Sequence, residues 1–454
     1  MAPQITPALE ALSDQVEHLL DTGDQDALAQ FLKSLHPADI ADVIDLLDED
    51  QSVQIFGLLH MDTAAEVLDE TLTEVTRTLV EALPDEQVAD LLEAMPMDDA
   101  AEVLSELRED RAEDILGLME PEEAAEVEVL LAYPEDSAGR LMTTDVVRLE
   151  QQWTVAQALE HLRSVDSEVE TLAYLYAVDK DGRLVGIVPV WQMVTSAPGK
   201  TVASVMEPTV ISVTVNTDQE EVARAVSQYD FFAIPVTDDD GKFLGIITHD
   251  DVIDILEEEF TEDVQRFGGS VPLENTYFST SILRMVWKRV GWLLLLFLTA
   301  TLTGTVMRLF AGRLEATVAL SFFIPLLIGT GGNAGSQMTA TMIRALATGE
   351  VHFEDVWMVL GRELLTGLVL GLAMGAVGIV RALTWQTSMG VALTVAASLC
   401  VLVMWANIMG MLLPIIASRL KIDPTVISGP VMSTLVDATG LLIYFSLAGL
   451  IIGP

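Results

Sequence analysis

Cysteine is almost missing from this sequence. Cys400 stands alone in an apolar run, so no internal disulfide forms and the redox compartment is left open. Histidine is scarce too, and the six present show no His-Glu-x-x-His pairing, which argues against an intramembrane zinc protease. A phosphate loop is also lacking: Gly199-Lys200-Thr201 is only the tail of one, without the upstream glycine, which argues against an ATP-driven pump. Met1 to Gln15 has no apolar core and does not read as a secretory signal. Positive charge is nearly absent from the first part of the chain. Residues 1–280 carry 13 Lys+Arg against 62 Asp+Glu, a balance of −49, whereas residues 281–454 carry 10 and 7, a balance of +3. Such acidity argues against nucleic acid or anionic lipid as its partner and in favour of cations.

What is present divides by periodicity. With 454 residues the chain holds more than one domain. From Pro7 to about Leu131 apolar residues recur at helical spacing, as in Ile40, Val43, Ile44 and Leu47. The fragment Met61-Asp62-Thr63-Ala64-Ala65-Glu66-Val67-Leu68 returns 36 positions later as Met97-Asp98-Asp99-Ala100-Ala101-Glu102-Val103-Leu104, with an echo at Pro121 to Val127. Pro37, Pro84, Pro96 and Pro121 mark helix starts, where a missing N–H costs nothing, and acidic residues follow them. Short repeated helices predict a small α-solenoid, a sensing or interaction module rather than a catalytic one.

Between Met142 and about Glu258 two similar halves read strand–helix–strand–strand–helix. Strands are expected at Ala173 to Val178, Leu184 to Pro189, Phe232 to Val236 and Phe243 to Thr248, with Asp/Gly turns at 179–182 and 237–241 and helices at Val155 to Ser164 and Glu220 to Tyr229. With Val205-Met206-Glu207-Pro208 opening the second half and Gly245 to Val252 closing it, this region resembles a tandem pair of CBS domains. That resemblance implies a regulatory module that often binds adenine nucleotides, with Thr248 and Asp251 at positions that hold ribose and phosphates. A helix runs on from Asp251 through Asp263. Asp251, Asp254, Glu258 and Glu262 share one face of it, where like charges repel. A solvated face is the ordinary account of a charge run; packing against other acidic domains would require counter-ions. Oxygen donors without clustered His or Cys suit Mg²⁺ or Ca²⁺.

Past Leu283 the chain turns apolar. Five spans are expected near Val290–Phe310, Thr317–Ala345, Val356–Ile379, Gly390–Ala417 and Thr425–Ile452, each near the roughly 20 residues a bilayer needs. Seven basic residues flank one side (Arg284, Lys288, Arg289, Arg344, Arg362, Arg419, Lys421) against three on the other (Arg308, Arg313, Arg381), which puts the acidic half in the cytoplasm and the C-terminus outside. Five helices are few for a pathway, so a symmetric dimer is expected. Glycines between Pro325 and Gln337 predict a break in the second span, whose freed carbonyls would line a wet path; close helix packing is the rival account. In the last span lies one ionisable residue, Asp437. A carboxylate there costs about 3 kcal/mol and needs a partner, a cavity or an ion. Either it bonds a neighbouring hydroxyl such as Thr434 or Thr439, or it is a cation ligand.

The acidic helical N-domain, the segment Tyr133 to Thr143, the CBS pair, the acidic connecting helix, the run Gly329 to Gln337 and the run Asp423-Pro424 to Gly440 together resemble the MgtE family of bacterial magnesium channels, over essentially the whole chain. The resemblance implies a multidomain membrane protein, not an enzyme: an α-solenoid N-domain (1–133), tandem α/β CBS domains (134–200 and 201–256), a connecting helix and linker (257–283) and a five-helix transmembrane domain (284–454). It further implies a homodimer in the cytoplasmic membrane that takes up Mg²⁺ through a pore at Asp437, with Gly329, Gly332 and Asn333 beside it. Cytosolic Mg²⁺ would close the pore by binding Glu66, Asp98, Glu102, Asp218, Glu220, Asp230, Asp251, Asp254, Glu259, Glu262, Asp263 and Asp423. Glu102 is a longer acid than the aspartate expected at its position. The resemblance also implies ATP at the CBS pair as a second ligand. A proton- or Na⁺-coupled carrier suits an intramembrane Asp equally well, and a receptor without transport is a third reading.

Overall fold

The computed structural model describes residues 7–165, 169, 171–273, 280–427 and 429–453. The start of Met1–Gln15, part of the connecting segment 257–283, Ser428 and Pro454 therefore lie outside the described residues. The chain forms two compact units, Met1–Glu259 and Phe260–Pro454.

The first unit opens with ten short helices: α1 (Pro7–Thr22), α2 (Gln25–Leu32), α3 (Pro37–Ile44), α4 (Glu49–Phe56), α5 (Met61–Glu70), α6 (Thr73–Ala82), α7 (Asp85–Leu92), α8 (Met97–Ser105), α9 (Glu109–Leu116) and α10 (Pro121–Leu131). Pro37 and Pro121 hold the first helical position of α3 and α10, and Pro84 and Pro96 cap α7 and α8. Alternate helices stack: α3 on α5, α5 on α7, α7 on α9, and likewise α4 on α6 and α8 on α10. The repeated fragment is repeated in burial as well, α5 burying Ala64, Ala65, Val67 and Leu68 where α8 buries Ala100, Ala101, Val103 and Leu104. Each eight- to eleven-residue helix is too short to stand alone and draws its stability from the neighbour covering its apolar stripe.

Two three-stranded sheets follow. The first contains β1 (Arg148–Glu150), α11 (Val155–Ser164), β2 (Tyr174–Val178), β3 (Leu184–Pro189) and α12 (Val190–Thr195). A short α13 (Val202–Val205) leads to β4 (Val213–Thr214), α14 (Gln219–Tyr229), β5 (Ala233–Thr237), β6 (Phe243–Thr248) and α15 (His249–Phe267). In both units the first strand pairs parallel with the second and the second antiparallel with the third. The hairpins are duplicates: Asp179 Oδ1 accepts from the amides of Asp181 and Arg183, Asp238 Oδ1 from those of Asp240 and Lys242, and Gly182 and Gly241 share φ +80°. The two turns lock together, Leu184 N donating to Gly241 O (3.1 Å) and Phe243 N to Gly182 O (3.0 Å).

The segment Tyr133 to Thr143 is a docked clamp rather than a loose linker. Ala138 N donates to Thr217 O (2.8 Å) and Gly139 N to Val215 O (2.9 Å), while Arg140 reaches back to Ala101 O of α8 (2.8 Å). Gly139 is required there, because a Cβ would stand 2.7 Å from the Tyr133 ring.

In the second unit α16 (Ile282–Leu309) and a short α17 (Ala311–Ala316) precede a 3₁₀ turn, Val318–Phe323, and then α18 (Ile324–Ala347), α19 (Val356–Thr384), α20 (Met389–Arg419) and α21 (Gly429–Ile451). By length and composition, five spans among the described residues are long and apolar enough to cross a membrane, matching the five expected. The expected break in the second span is not there: α18 runs unbroken through Gly329 to Gln337, and the irregular backbone lies before it, at the 3₁₀ turn. The glycines serve close approach. A Cβ on Gly331 would lie 2.8 Å from Val436, one on Gly335 2.9 Å from Met432, and one on Gly410 2.7 Å from Gly335 O. Gly367, Gly371, Gly375 and Gly378 are buried in the same way where α19 lies along α20.

Candidate ion sites

Asp437 sits on α21, which is fixed from two sides. Ser336 of α18 bonds Gly429 O (3.2 Å) and Ser433 Oγ (3.3 Å), and the Trp405 indole of α20 donates to Thr439 Oγ1 (2.9 Å). Both hydroxyls offered as partners for Asp437 are spent on the backbone, Thr434 on Pro430 O and Thr439 on Leu435 O, each a turn back. Asp437 Oδ1 is buried with no hydrogen-bond partner among the described residues. The local-hydroxyl account of this acid therefore fails, and its donor chemistry suits a hard cation that keeps its waters. On α18, Gly332 packs toward Ser433, whereas Gly329, Asn333 and Gln337, four residues apart, form an exposed stripe. The glycine–α21 contacts run antiparallel, so one turn past Ser433 puts Asp437 level with Ile328 and Gly329. A second acid within a candidate span was missed in the sequence: Glu363 of α19 accepts from Asn407 of α20 (3.3 Å), and Asn407 is buried. The argument applied to Asp437 would have found it.

In the first unit the acids gather in two groups. The N-domain group comprises Asp69, Glu70 and Glu102 facing Asp251 and Asp254 of α15. Asp69 keeps solvent on one side, but the protein crowding it, together with Glu70, Glu102, Asp251 and Asp254, pushes its carboxyl up to about 7. Burial and then Glu106 raise Glu102, with Arg140 opposing, and burial raises Asp254 with Glu70 and Glu257 adding to it. Burial likewise raises Asp251, against two bonds from Thr248 to its Oδ2, the amide at 3.0 Å and the hydroxyl at 2.5 Å. Those bonds make Thr248 and Asp251, the expected nucleotide contacts, partners of each other at the start of α15. Asp69 and Glu70 went unread although they lie three and four residues beyond Glu66 on one helix face. Glu66 itself is exposed and Asp98, one turn before Glu102, is buried.

The second group joins Asp218 and Glu220 of α14 to Glu259 and Glu258 of α15 and to Asp136 of the clamp. Burial raises Glu259, opposed by a bond from Gln219 (2.8 Å), with Glu220, Asp218 and Asp136 adding repulsion. Burial raises Glu258, with Glu259 and Asp136 next. Asp230 stands apart, closing α14 in a left-handed conformation (φ 53°). Among the described residues no three His, Cys, Asp or Glu side chains converge into a ready-made metal cage. The carboxylates form a field of opposed charge that suits hydrated divalent ions held through water.

Glu262, Asp263 and Asp423 belong to the second unit. There Arg266 of α15 pairs with both Glu262 and Asp423, so these two expected metal ligands are held by an arginine. Burial would raise Asp423, but bonds from Thr425 and the Arg266 guanidinium outweigh it and hold its carboxyl below the usual range.

Three family models match in order along the chain: the MgtE intracellular N domain over residues 35–136, the CBS domain over 138–196 and 202–258, and a divalent cation transporter domain, MgtE, over 324–447. The magnesium transporter MgtE of Thermus thermophilus is 38% identical over 98% of this chain and 99% of its own length; that of Bacillus subtilis is 35% identical over 71% of each. Among solved structures, the cytosolic domain of the Mg²⁺ channel MgtE in complex with ATP is similar at TM-score 0.52 and 36% identity, covering 54% of this chain and 99% of that one. The soluble part of a magnesium transporter is similar at TM-score 0.51 and 30% identity, covering 55% and 99%.

Proposed function

Because the chain belongs to the MgtE family of magnesium transporters, we propose that this membrane protein passes Mg²⁺ at Asp437. The observation that carries the reading is Asp437 Oδ1, buried without a hydrogen-bond partner among the described residues, on a helix whose Ser433, Thr434, Thr439 and Tyr444 hydroxyls are bonded. Two copies of the chain place two such carboxylates about a two-fold axis, and the exposed Gly329–Asn333 stripe of α18 lines the approach, with Gly332 between the stripe and α21. Mg²⁺ dehydrates reluctantly, so the carboxylates hold its waters rather than the bare ion. The first unit lies in the cytoplasm of the inner membrane and the C-terminus outside.

The acidic groups sense the cytosolic ion. Without it, Glu66, Asp69, Asp98 and Glu102 repel Asp251, Asp254 and Glu259, and Asp218 and Glu220 repel Glu259. Bound Mg²⁺ removes that repulsion, draws the N-domain toward α15 and closes the path. A ligand shifts such an equilibrium only by its differential affinity, about 5.5 kcal/mol for a 10⁴-fold preference, which several weak sites together supply. ATP is a second ligand of the CBS pair. To bind a nucleotide, Thr248 and Asp251 exchange the bonds they make to each other.

Mg²⁺ flux into proteoliposomes tests the reading. Asp437→Asn keeps the shape and removes the charge; flux falls more than tenfold while the melting temperature and oligomeric state stay put. Normal flux in that variant sinks the assignment. Glu363 favours a second reading, a proton- or Na⁺-coupled carrier, because a carboxylate that accepts from a neutral amide, Asn407, inside a candidate span is a group that such carriers use. Flux indifferent to the proton and Na⁺ gradients rejects it.

A further inference from the structure

Two carboxylates that the family resemblance offers to a divalent ion, Glu262 and Asp423, face a guanidinium instead. Arg266 is four residues beyond Glu262 on the last turns of α15, the i,i+4 spacing at which such pairs meet. Its Nη1 lies 2.7 Å from Asp423 Oδ2 while its Nη2 pairs with Glu262. The same Asp423 accepts from Thr425 N (2.8 Å) and Thr425 Oγ1 (2.6 Å), which fixes it at the head of the short turn Pro424–Val426 leading into α21. The end of α15 is seated there by packing as well. The Phe267 ring approaches Gly429, the first residue of α21, and Gly269 (φ +77°) backs onto Trp292 and Pro430 with no room for a Cβ. The chain then returns along α16, with Val271 N bonded to Lys288 O (3.2 Å) and the Lys288 ammonium to Pro272 O.

We propose that Arg266 is a positioning residue, a tethered cation that fills the Glu262–Asp423 pair and fastens the end of the connecting helix to the Asp437-bearing span without a divalent ion. A guanidinium stays charged at any working pH, and its planar fork reaches two carboxylates at once. It is delivered by the chain itself, at an effective concentration that a free ion matches only when abundant. Mg²⁺ must give up waters to enter and must displace the arginine. This joint is therefore closed at every Mg²⁺ level, and sensing is left to the acidic groups of the first unit, where among the described residues no arginine pairs with the opposed carboxylates Asp69, Asp251 and Asp254. The inference deepens the proposed function and rests on it for the role of α21; its test does not use transport.

Hydrogen exchange on the full-length protein in detergent, in chelator and in millimolar Mg²⁺, reads the joint directly. In the unmodified protein the amides of 262–270 and 423–427 are equally protected in both conditions. Arg266→Gln exchanges roughly tenfold faster there in chelator, the worth of a charge-assisted hydrogen bond, and Mg²⁺ restores protection because the freed carboxylates now accept it. Arg266→Lys keeps most of the protection in chelator. Asp423→Asn loosens the same amides, and Mg²⁺ does not restore them. Unmodified protein that gains protection only with Mg²⁺ overturns the proposal with no variant needed, and so does Arg266→Gln protein as protected in chelator as the parent. Because none of these readings involves flux, a failed Asp437 test leaves them standing.

Discussion

Gly331 faces α21 with room for a hydrogen and none for a methyl. A Cβ there would meet Val436 at 2.8 Å and Leu402 at 3.0 Å, both in the packed interior of the second unit. Gly331→Ala is expected to cost about 1–3 kcal/mol, the usual penalty of overpacking. The same change at Gly329, where nothing stands within 4 Å, is expected to leave stability nearly unchanged. Thermal unfolding in detergent separates the two. Asp45 offers a second residue-scale test. It accepts from Leu72 N at 3.3 Å, and burial pushes its carboxyl up to about 6. A raised carboxyl binds its proton more tightly in the folded state, so its contribution to stability is present at low pH and lost as pH rises from the unfolded value, 3.8, through about 6. Asp45→Asn removes that dependence. Relative to the variant, the parent should lose about 1 kcal/mol between about pH 5 and about pH 7, read as a difference in melting temperature.

The acids of α15 act as one element, because each faces a different neighbour. Asp251 and Asp254 meet Asp69 and Glu102 of the N-domain, while Glu259 meets Asp218 and Glu220 of α14. Millimolar Mg²⁺ should raise the melting temperature of the protein by binding the assembled form. Neutralising Asp251, Asp254 and Glu259 together should cut that rise by more than half and leave flux insensitive to cytosolic Mg²⁺. An unchanged rise would mean the acids are only a solvated face. Elements were also where sequence reading served best and worst. The boundaries of α11, β3 and β6 were legible because Thr154 caps the helix and Asp/Gly turns precede both strands. The break in α18 was misread because glycine density reports small side chains, not the reason for them; Val436, Met432 and Gly410, distant in sequence, decide it. Asp437 was legible as an unusual acid, but the loss of its local partners was not, since that depends on where Thr434 and Thr439 aim their hydroxyls. Arg266 was hidden because Asp423 lies 157 residues away.

At the scale of the whole molecule, the formal charge of −46 is a balance of −49 in residues 1–280 and +3 in the rest. The clamp at Ser137 to Arg140 is buried in that acidic part, so a protease should spare it with or without Mg²⁺. Cleavage there that depends on the ion would show the clamp opening in the cycle. In the second unit the first and last spans meet. The first span, α16, buries little of itself and packs chiefly on the last, α21. Near the same place the Phe310 ring stacks on Phe445 at 5.0 Å, and Tyr444 donates to Leu320 O. A ribosome makes those two helices more than a hundred residues apart, so the first span enters the bilayer long before its packing partner exists. Until α21 is made, α16 lacks its chief packing partner and is exposed to quality-control proteases. A chain stopped before Gly429 should therefore insert normally and yet be degraded, and supplying the missing last span as a separate peptide during synthesis should rescue it.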